Sequence, residues 1–354
     1  MGGPDMAPQP PHTRLAPAAP GRSLRSAVPD MSATGGVRHR EVETNGIRMH
    51  VAEQGGGPLV LLCHGFPETW YSWRHQIRDL AAAGYHAVAP DMRGYGRTDR
   101  PDAIDQYTQL HHVGDMVGVL DALGEERAVI AGHDWGAAVA WNAVLLRPDR
   151  FRAAMVLSVP YSPRGGVAPT RLLRQAAGDG FMYMLYFQTP GVAEAELERD
   201  VRATLRRVLY WGSGDAPRDG AEWRPFAPAR SGFLEGFADP DALPPWLTDA
   251  DLDVYVAEFE RTGFRGGLNW YRNLDRTWEL MAPWQHARIA VPALYITGDR
   301  DLVLQMRRAP LDQMREVIPD LRNLVILPDC GHWTQQERPK EVSTEFLSFL
   351  SDLD

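Results

Sequence analysis

Two cysteines, Cys63 and Cys330, are all that the 354-residue chain contains. They cannot build a disulfide framework, and neither stands in a CxxC or other metal-ligand spacing, so a reduced, cytoplasmic protein is the expectation. Excess basic charge is missing as well. Lys and Arg number 37 against 46 Asp and Glu, a net charge of −9, which argues against nucleic acid or an anionic membrane as the main partner. Lys340 is the only lysine, a bias to which we give no functional meaning. No uninterrupted apolar run approaches the roughly 18–20 residues of a membrane-spanning helix. Residues 1–36, rich in Pro, Ala, Gly and Ser, carry Arg14, Arg22 and Arg25 but no apolar stretch behind them, which excludes a secretory signal. They read as a disordered leader, with Met31 as an alternative start. His64, His133 and the His111–His112 pair lack a third ligand, so neither a metal nor a cofactor is expected.

What remains is ordinary globular material, 44% hydrophobic and 23% charged, long enough for one large α/β domain or two smaller ones. Glu41 to Glu53 alternates as an edge strand does, and Leu59 to Cys63 is a continuous apolar run, as in a strand covered on both faces. Helix from Thr69 to about Ala83, strand from Tyr85 to Pro90, helix from Thr108 to Leu123, strand to Ala131 and strand from Ala153 to Val159 follow in turn. This alternation predicts a mostly parallel, doubly wound sheet. From Pro160 to about Arg288 the rhythm breaks into an aromatic-rich, Arg-rich segment with helices at Leu197–Tyr210 and Ala250–Arg261. Strands resume at Ala293–Thr297 and Leu324–Leu327. The predicted organisation is therefore a core of residues 37–159 and 289–354, interrupted by a helical cap over 160–288.

Chemistry concentrates where strands end. Gly132-His133-Asp134-Trp135-Gly136 joins a strand to a small-residue helix in the G-x-Nu-x-G pattern of a nucleophile elbow, with Asp134 at the nucleophile position. A carboxylate there attacks saturated carbon and leaves an ester on the enzyme, and its ionised form is favoured beside the N-terminus of the following helix. The order Asp134, Asp301, His332 matches the nucleophile, acid and base order of α/β-hydrolases, each at the end of a predicted strand. Asp299 competes with Asp301 in the same loop. In that fold the backbone N–H groups of Trp135 and Phe66 would form an oxyanion hole, the second from the His64-Gly65-Phe66-Pro67 loop, where Pro67 is a candidate for a cis bond.

These motifs, with Asp91-Met92-Arg93-Gly94-Tyr95-Gly96, resemble those of the soluble epoxide hydrolases of the α/β-hydrolase fold, over about Glu41 to the C-terminus. Two insertion motifs carry the resemblance further: Tyr183-Met184-Leu185-Tyr186-Phe187-Gln188, and Gly263 to Asn273 with its Asn269-Trp270-Tyr271 centre. The resemblance implies that Tyr183 and Tyr271 are the two ring-opening tyrosines, with Tyr186 a rival for the first, and that Asp301 is the triad acid. It implies an apolar epoxide and water as partners and a vicinal diol as product. Phe66, Pro67, Trp135, Tyr186 and Phe187 would line the substrate pocket. Two phenols with ordinary pKa near 10 can donate to the departing oxygen while remaining un-ionised at neutral pH. A haloalkane dehalogenase shares the Asp–His–Asp set and is the nearest alternative; a non-catalytic binding protein on this scaffold is a second. A homodimer is compatible with the sequence.

Overall fold

The runs that read as doubly covered strands lie in the middle of the sheet. The computed structural model describes residues 36–217, 232–306 and 308–353; the leader lies outside them except for Gly36. Its strands are β1 (Arg38–Thr44), β2 (Ile47–Gly55), β3 (Leu59–Cys63), β4 (His86–Pro90), β5 (Ala128–His133), β6 (Phe151–Leu157), β7 (Ala293–Gly298) and β8 (Leu321–Leu327). They form one eight-stranded sheet in the order β1-β2-β4-β3-β5-β6-β7-β8. Every residue of β3, β5 and β7 is buried, as helices on both faces require. From β3 onward the pairs are parallel, whereas β1–β2 and β2–β4 are antiparallel.

The expected single strand over Glu41–Glu53 is instead a hairpin. Asn45 and Gly46 both have positive φ, 43° and 78°, the conformation that lets a two-residue turn follow strand twist. The Asn-Gly pair was the signal for it.

The helices in chain order are α1 (Arg74–Ala82), α2 (Gln109–Leu123), α3 (Trp135–Leu146), α4 (Pro169–Ala177), α5 (Tyr183–Tyr186), α6 (Val192–Leu197), α7 (Val201–Gly212), α8 (Asp249–Thr262), α9 (Arg265–Arg272), α10 (Leu274–Leu280), α11 (Leu302–Met306), α12 (Arg308–Val317), α13 (Thr334–Glu337) and α14 (Pro339–Ser351). Thr108, expected as the first residue of a helix, is the N-cap of α2, its side chain accepting from the His111 N–H. Thr69, expected to open the helix to about Ala83, opens a 3-10 turn, Trp70–Trp73, ahead of α1. Between β6 and β7 the described residues form α4 to α10 and add no strand to the sheet. That segment is seated on the core through α9: the Trp270 indole N–H donates to Arg93 O at 3.0 Å, its ring stacks on His112 at 3.5 Å, and Asn273 Nδ2 donates to Ile104 O at 2.6 Å. Among the described residues no helix is long and apolar enough to cross a membrane.

The strand order places the topological switch between β3, which leads to β4 on one side, and β5, which leads to β6 on the other. In such sheets the ligand crevice opens beyond the carboxyl ends of the strands at that switch. Gly65-Phe66 follows β3 and Asp134 follows β5, so both flank it.

Candidate active site

Asp134 sits between β5 and α3 with φ 52° and ψ −117°, a conformation that a non-glycine residue adopts at a cost of roughly 1–3 kcal/mol. Its neighbours make room for the turn. A Cβ on Gly132 would lie 2.0 Å from Gly136 O, and one on Gly136 would lie 2.0 Å from Cys63 O; both positions therefore require glycine. The turn lifts the Asp134 carboxylate off the strand end toward two other loops.

The β3 loop meets it first. The Phe66 N–H donates to Asp134 Oδ1 at 2.8 Å, and the Phe66–Pro67 bond is cis. Trp135, as the first residue of α3, contributes an N–H from the turn whose amides have no partner inside the helix. Glu68 braces the loop from beneath. It is fully buried and accepts from Gly65 N–H at 3.0 Å, His133 Nδ1 at 2.7 Å, and Gln335 and Gln336 Nε2 at 3.0 and 3.1 Å. Burial disfavours its charge, but His133 and the loop amide outweigh this and hold its pKa below the usual carboxylate value. His133 also reaches the carbonyl oxygen of His332 at 2.7 Å through Nε2, so the residue before Asp134 is tied to the backbone of His332.

His332 lies on the loop after β8. Its Nε2 is 3.5 Å from Asp134 Oδ2 and its Nδ1 is 3.1 Å from Asp301 Oδ1. Asp301, fully buried, also accepts from Val303 N–H at 2.9 Å and from Ser158 Oγ at 2.6 Å. Asp299, the alternative in the same loop, accepts from Cys330 N–H at 3.4 Å instead.

Burial pushes all three ionisable groups toward neutrality, and in each the partners win. Asp134 is held below the usual carboxylate value by hydrogen bonding to His332, by the charges of His332 and His133, and by the Phe66 amide. Asp301 is lowered by His332 and by its bonds from Ser158 and Val303. His332 is raised well above the ordinary imidazole value by the Asp301 charge, its hydrogen bonds to Asp134 and Asp301, and the Asp134 charge. Two carboxylates thus share one imidazolium, and loss of either negative charge would release its proton more readily.

A cavity of about 70 Å³ opens over this group, lined by Phe66, Pro67, Asp134, Tyr183, Phe187, Tyr271, His332 and other, mainly apolar, residues. Tyr271 and Tyr183 lie with ring centroids 6.0 Å apart. Burial, then the nearby Asp134 charge, keeps the Tyr271 phenol well above its usual pKa, so it remains a donor. The helices bearing the two tyrosines are cross-tied: Gln188 Nε2 donates to Tyr271 O and to Met184 O at 2.8 Å, while Arg272 Nε donates to Phe187 O at 3.1 Å and its Nη1 pairs with Glu194 at 2.8 Å.

Two expected pocket residues stand elsewhere. Tyr186 does not line the Asp134 cavity. Tyr183 and Phe187, four residues apart, share one side of the short α5 turn, whereas Tyr186 packs on Phe181 at 5.5 Å, and burial together with Glu196 pushes its phenol up to about 12. The Trp135 ring lies edge-on to Tyr271 at 5.0 Å and to Trp270 at 6.0 Å. It therefore forms a partition, and it lines a second cavity of about 230 Å³ with Trp141, Tyr161 and Trp278 rather than the one that holds Asp134. The histidines near the site are occupied by protein: His64 bonds Gly65 O at 2.9 Å and receives the Met92 N–H at 2.9 Å. Among the described residues no cluster of three His, Cys, Asp or Glu could hold a metal.

With this geometry in view, comparison with known proteins is decisive. Residues 58–339 match the alpha/beta hydrolase fold family. Epoxide hydrolase A of Mycobacterium tuberculosis is 50% identical, covering 90% of this chain and 99% of that protein. The chain belongs to the epoxide hydrolases of the α/β-hydrolase fold. An epoxide hydrolase of Caballeronia sordidicola is 45% identical over 91% of this chain and 96% of its own length. Among solved structures, an epoxide hydrolase from an endophytic Streptomyces superposes with a TM-score of 0.87 at 50% identity, covering 90% of this chain and 96% of the other. The enzyme is thus an epoxide hydrolase, and its sheet and inserted helices have the architecture of that family.

Sequence reading alone did not single out Glu68 or Ser158. For Glu68 the signal was a carboxylate following directly on an oxyanion-loop motif; for Ser158 it was a polar residue inside a run taken as strand to Val159.

Proposed function

We propose that the enzyme converts a largely apolar epoxide and water to a vicinal diol through an alkyl ester on Asp134. One observation carries this reading: a single cavity lined by a carboxylate on a strained elbow, an imidazole and two phenols. With Oδ1 held by the Phe66 amide, Oδ2 attacks the ring carbon. The C–O bond of the epoxide breaks, and Tyr183 and Tyr271 hydrogen-bond the departing oxygen and supply its proton. His332, oriented by Asp301, then takes a proton from water, which adds to the ester carbonyl carbon. The Phe66 and Trp135 amides bear the resulting oxyanion. On its collapse the leaving oxygen takes the proton of the added hydroxyl, so the diol departs and Asp134 is again a carboxylate. His332 keeps the proton from water, and the tyrosine has regained its own from the imidazolium, which gives up its proton on esterification.

The two steps are linked by charge. Once Asp134 is esterified, one of the two carboxylates that raise the pKa of His332 is gone. The imidazolium that, with His133 and the Phe66 amide, favours ionised Asp134 becomes an imidazole able to act as base.

Phe66, Phe187, Val208, Phe233 and Leu302 in the lining support a lipid or aryl epoxide as substrate. The two free, buried cysteines support a reducing, cytoplasmic setting. Turnover of fatty-acid and aryl epoxides beside a chloroalkane tests the reaction: diol from an epoxide is expected, and halide release without diol would overturn it. Tyr271→Phe is expected to slow ring opening about 10²-fold, as for loss of a general acid, with little change in substrate binding measured with the slowed enzyme. An unchanged alkylation rate would remove Tyr271 from the mechanism.

A further inference from the structure

Ser158 follows the last residue of β6 and is fully buried. Its φ is 70°, and Val159 N–H closes back on Leu157 O at 2.8 Å. A three-residue turn with positive central φ is rare and strained. The adjacent strand β7 holds it: Ser158 N–H donates to Ile296 O at 2.9 Å, and the Tyr295 hydroxyl donates to Ser158 O at 2.6 Å. Glycine would occupy this turn without strain. A serine there costs conformational energy, so its hydroxyl is the feature to account for.

That hydroxyl lies between the two partners of the catalytic charge system. Ser158 Oγ is 2.6 Å from Asp301 Oδ2 and 2.9 Å from His332 Nδ1. An ionised carboxylate only accepts, so the single hydroxyl hydrogen goes to Asp301. The contact with the ring can then be a hydrogen bond only if Nδ1 carries a hydrogen, shared between Ser158 Oγ and Asp301 Oδ1 at 3.1 Å. With the proton fixed on Nδ1, a neutral imidazole must present its lone pair at Nε2, the atom that faces Asp134. Without the hydroxyl, Asp301 Oδ2 would keep, among the described residues, only the longer contact from Thr297 Oγ1 at 3.4 Å, and the carboxylate could turn away from the ring.

We propose that Ser158 is a positioning residue that fixes the tautomer of His332, keeping its proton on the Asp301 side so that Nε2 is always the base. The proposal rests on the roles assigned above to His332 and Asp301. It places Ser158 in the second step alone, because the attack of Asp134 on the epoxide requires no neutral imidazole.

The test compares Ser158→Ala with Ser158→Gly in the full-length enzyme, by acid-quenched single-turnover kinetics that follow the ester on the Asp134 peptide by mass. The alanine variant deletes only the hydroxyl and keeps the strain of the turn, whereas the glycine variant loses the hydroxyl with its Cβ and lets the turn relax. In both variants ester formation should stay within about threefold of wild type while ester decay slows by about tenfold or more, and the ring nitrogen-15 shifts of neutral His332 should move toward each other as the second tautomer is populated. Decay at the wild-type rate in Ser158→Gly would show that only the turn matters and overturn the proposal. Equal slowing of both steps would make Ser158 a scaffold residue and overturn it as well. Absence of the ester in wild-type samples would instead overturn the underlying reading of the site, and this proposal with it.

Discussion

His332→Gln enzyme mixed with an epoxide substrate is expected to become covalently labelled and to stay so. The attack of Asp134 draws on the elbow, the Phe66 amide and the two tyrosines, none of which this substitution removes. Hydrolysis of the ester needs a base 3.5 Å from the Asp134 carboxylate, and glutamine offers none. Losing a positioned general base costs about 10²–10⁴-fold, enough for the ester to outlast the first turnover. Mass spectrometry should find the Asp134 peptide heavier by the mass of the whole epoxide, since ring opening expels nothing. A peptide of unchanged mass after prolonged mixing would count against the covalent route.

Asp134→Ala should lose activity by about 10⁴-fold or more, as enzymes that lose a nucleophile do, and should show no ester. It also carries a titration signature. In the wild type, burial lowers the pKa of His332, but Asp301 and Asp134 together raise it well above the ordinary value. Removing Asp134 deletes one of the raising charges and leaves the burial, so His332 must lose its proton at lower pH in the variant. NMR titration of the imidazole checks this; an unchanged midpoint would mean that Asp134 and His332 are not coupled. The same shift predicts the pH dependence of turnover. Ester decay should rise with pH through the pKa that His332 has in the esterified enzyme, which lies below its value in the free enzyme.

The parts of the site that could be read in the sequence are those where backbone geometry dictates residue type. Gly132 and Gly136 are irreplaceable because carbonyl oxygens stand 2.0 Å from where their side chains would begin, so the elbow is visible as a pattern. Apolar runs gave β3, β5 and β7 because both faces are covered. Asp301 and His332 were legible through chain order, and the structure brings both to Asp134. Side-chain direction was not legible. Trp135 follows the nucleophile directly, yet its ring turns against Trp270 and Tyr271 and faces a separate cavity; Tyr186 lies three residues from Tyr183, yet turns toward Glu196. Ser158 escaped because its importance lies in one hydroxyl held by a strained turn, and no local pattern reports φ. The helices α9 and α10 were missed because α9 is short and begins at Arg265-Gly266-Gly267, a poor helix-forming start; what fixes it is tertiary, through Trp270 on His112 and Asn273 on Ile104.

The central claim is that an oxygen of Asp134 ends in the product. Single turnover in water labelled with oxygen-18, with enzyme in excess over epoxide, tests this directly. The ester route predicts that the first diol carries an unlabelled oxygen drawn from Asp134 and that the label appears in the Asp134 peptide, because water adds at the ester carbonyl carbon. Label in the first diol with none on Asp134 would mean that water opens the ring itself, and would contradict the account.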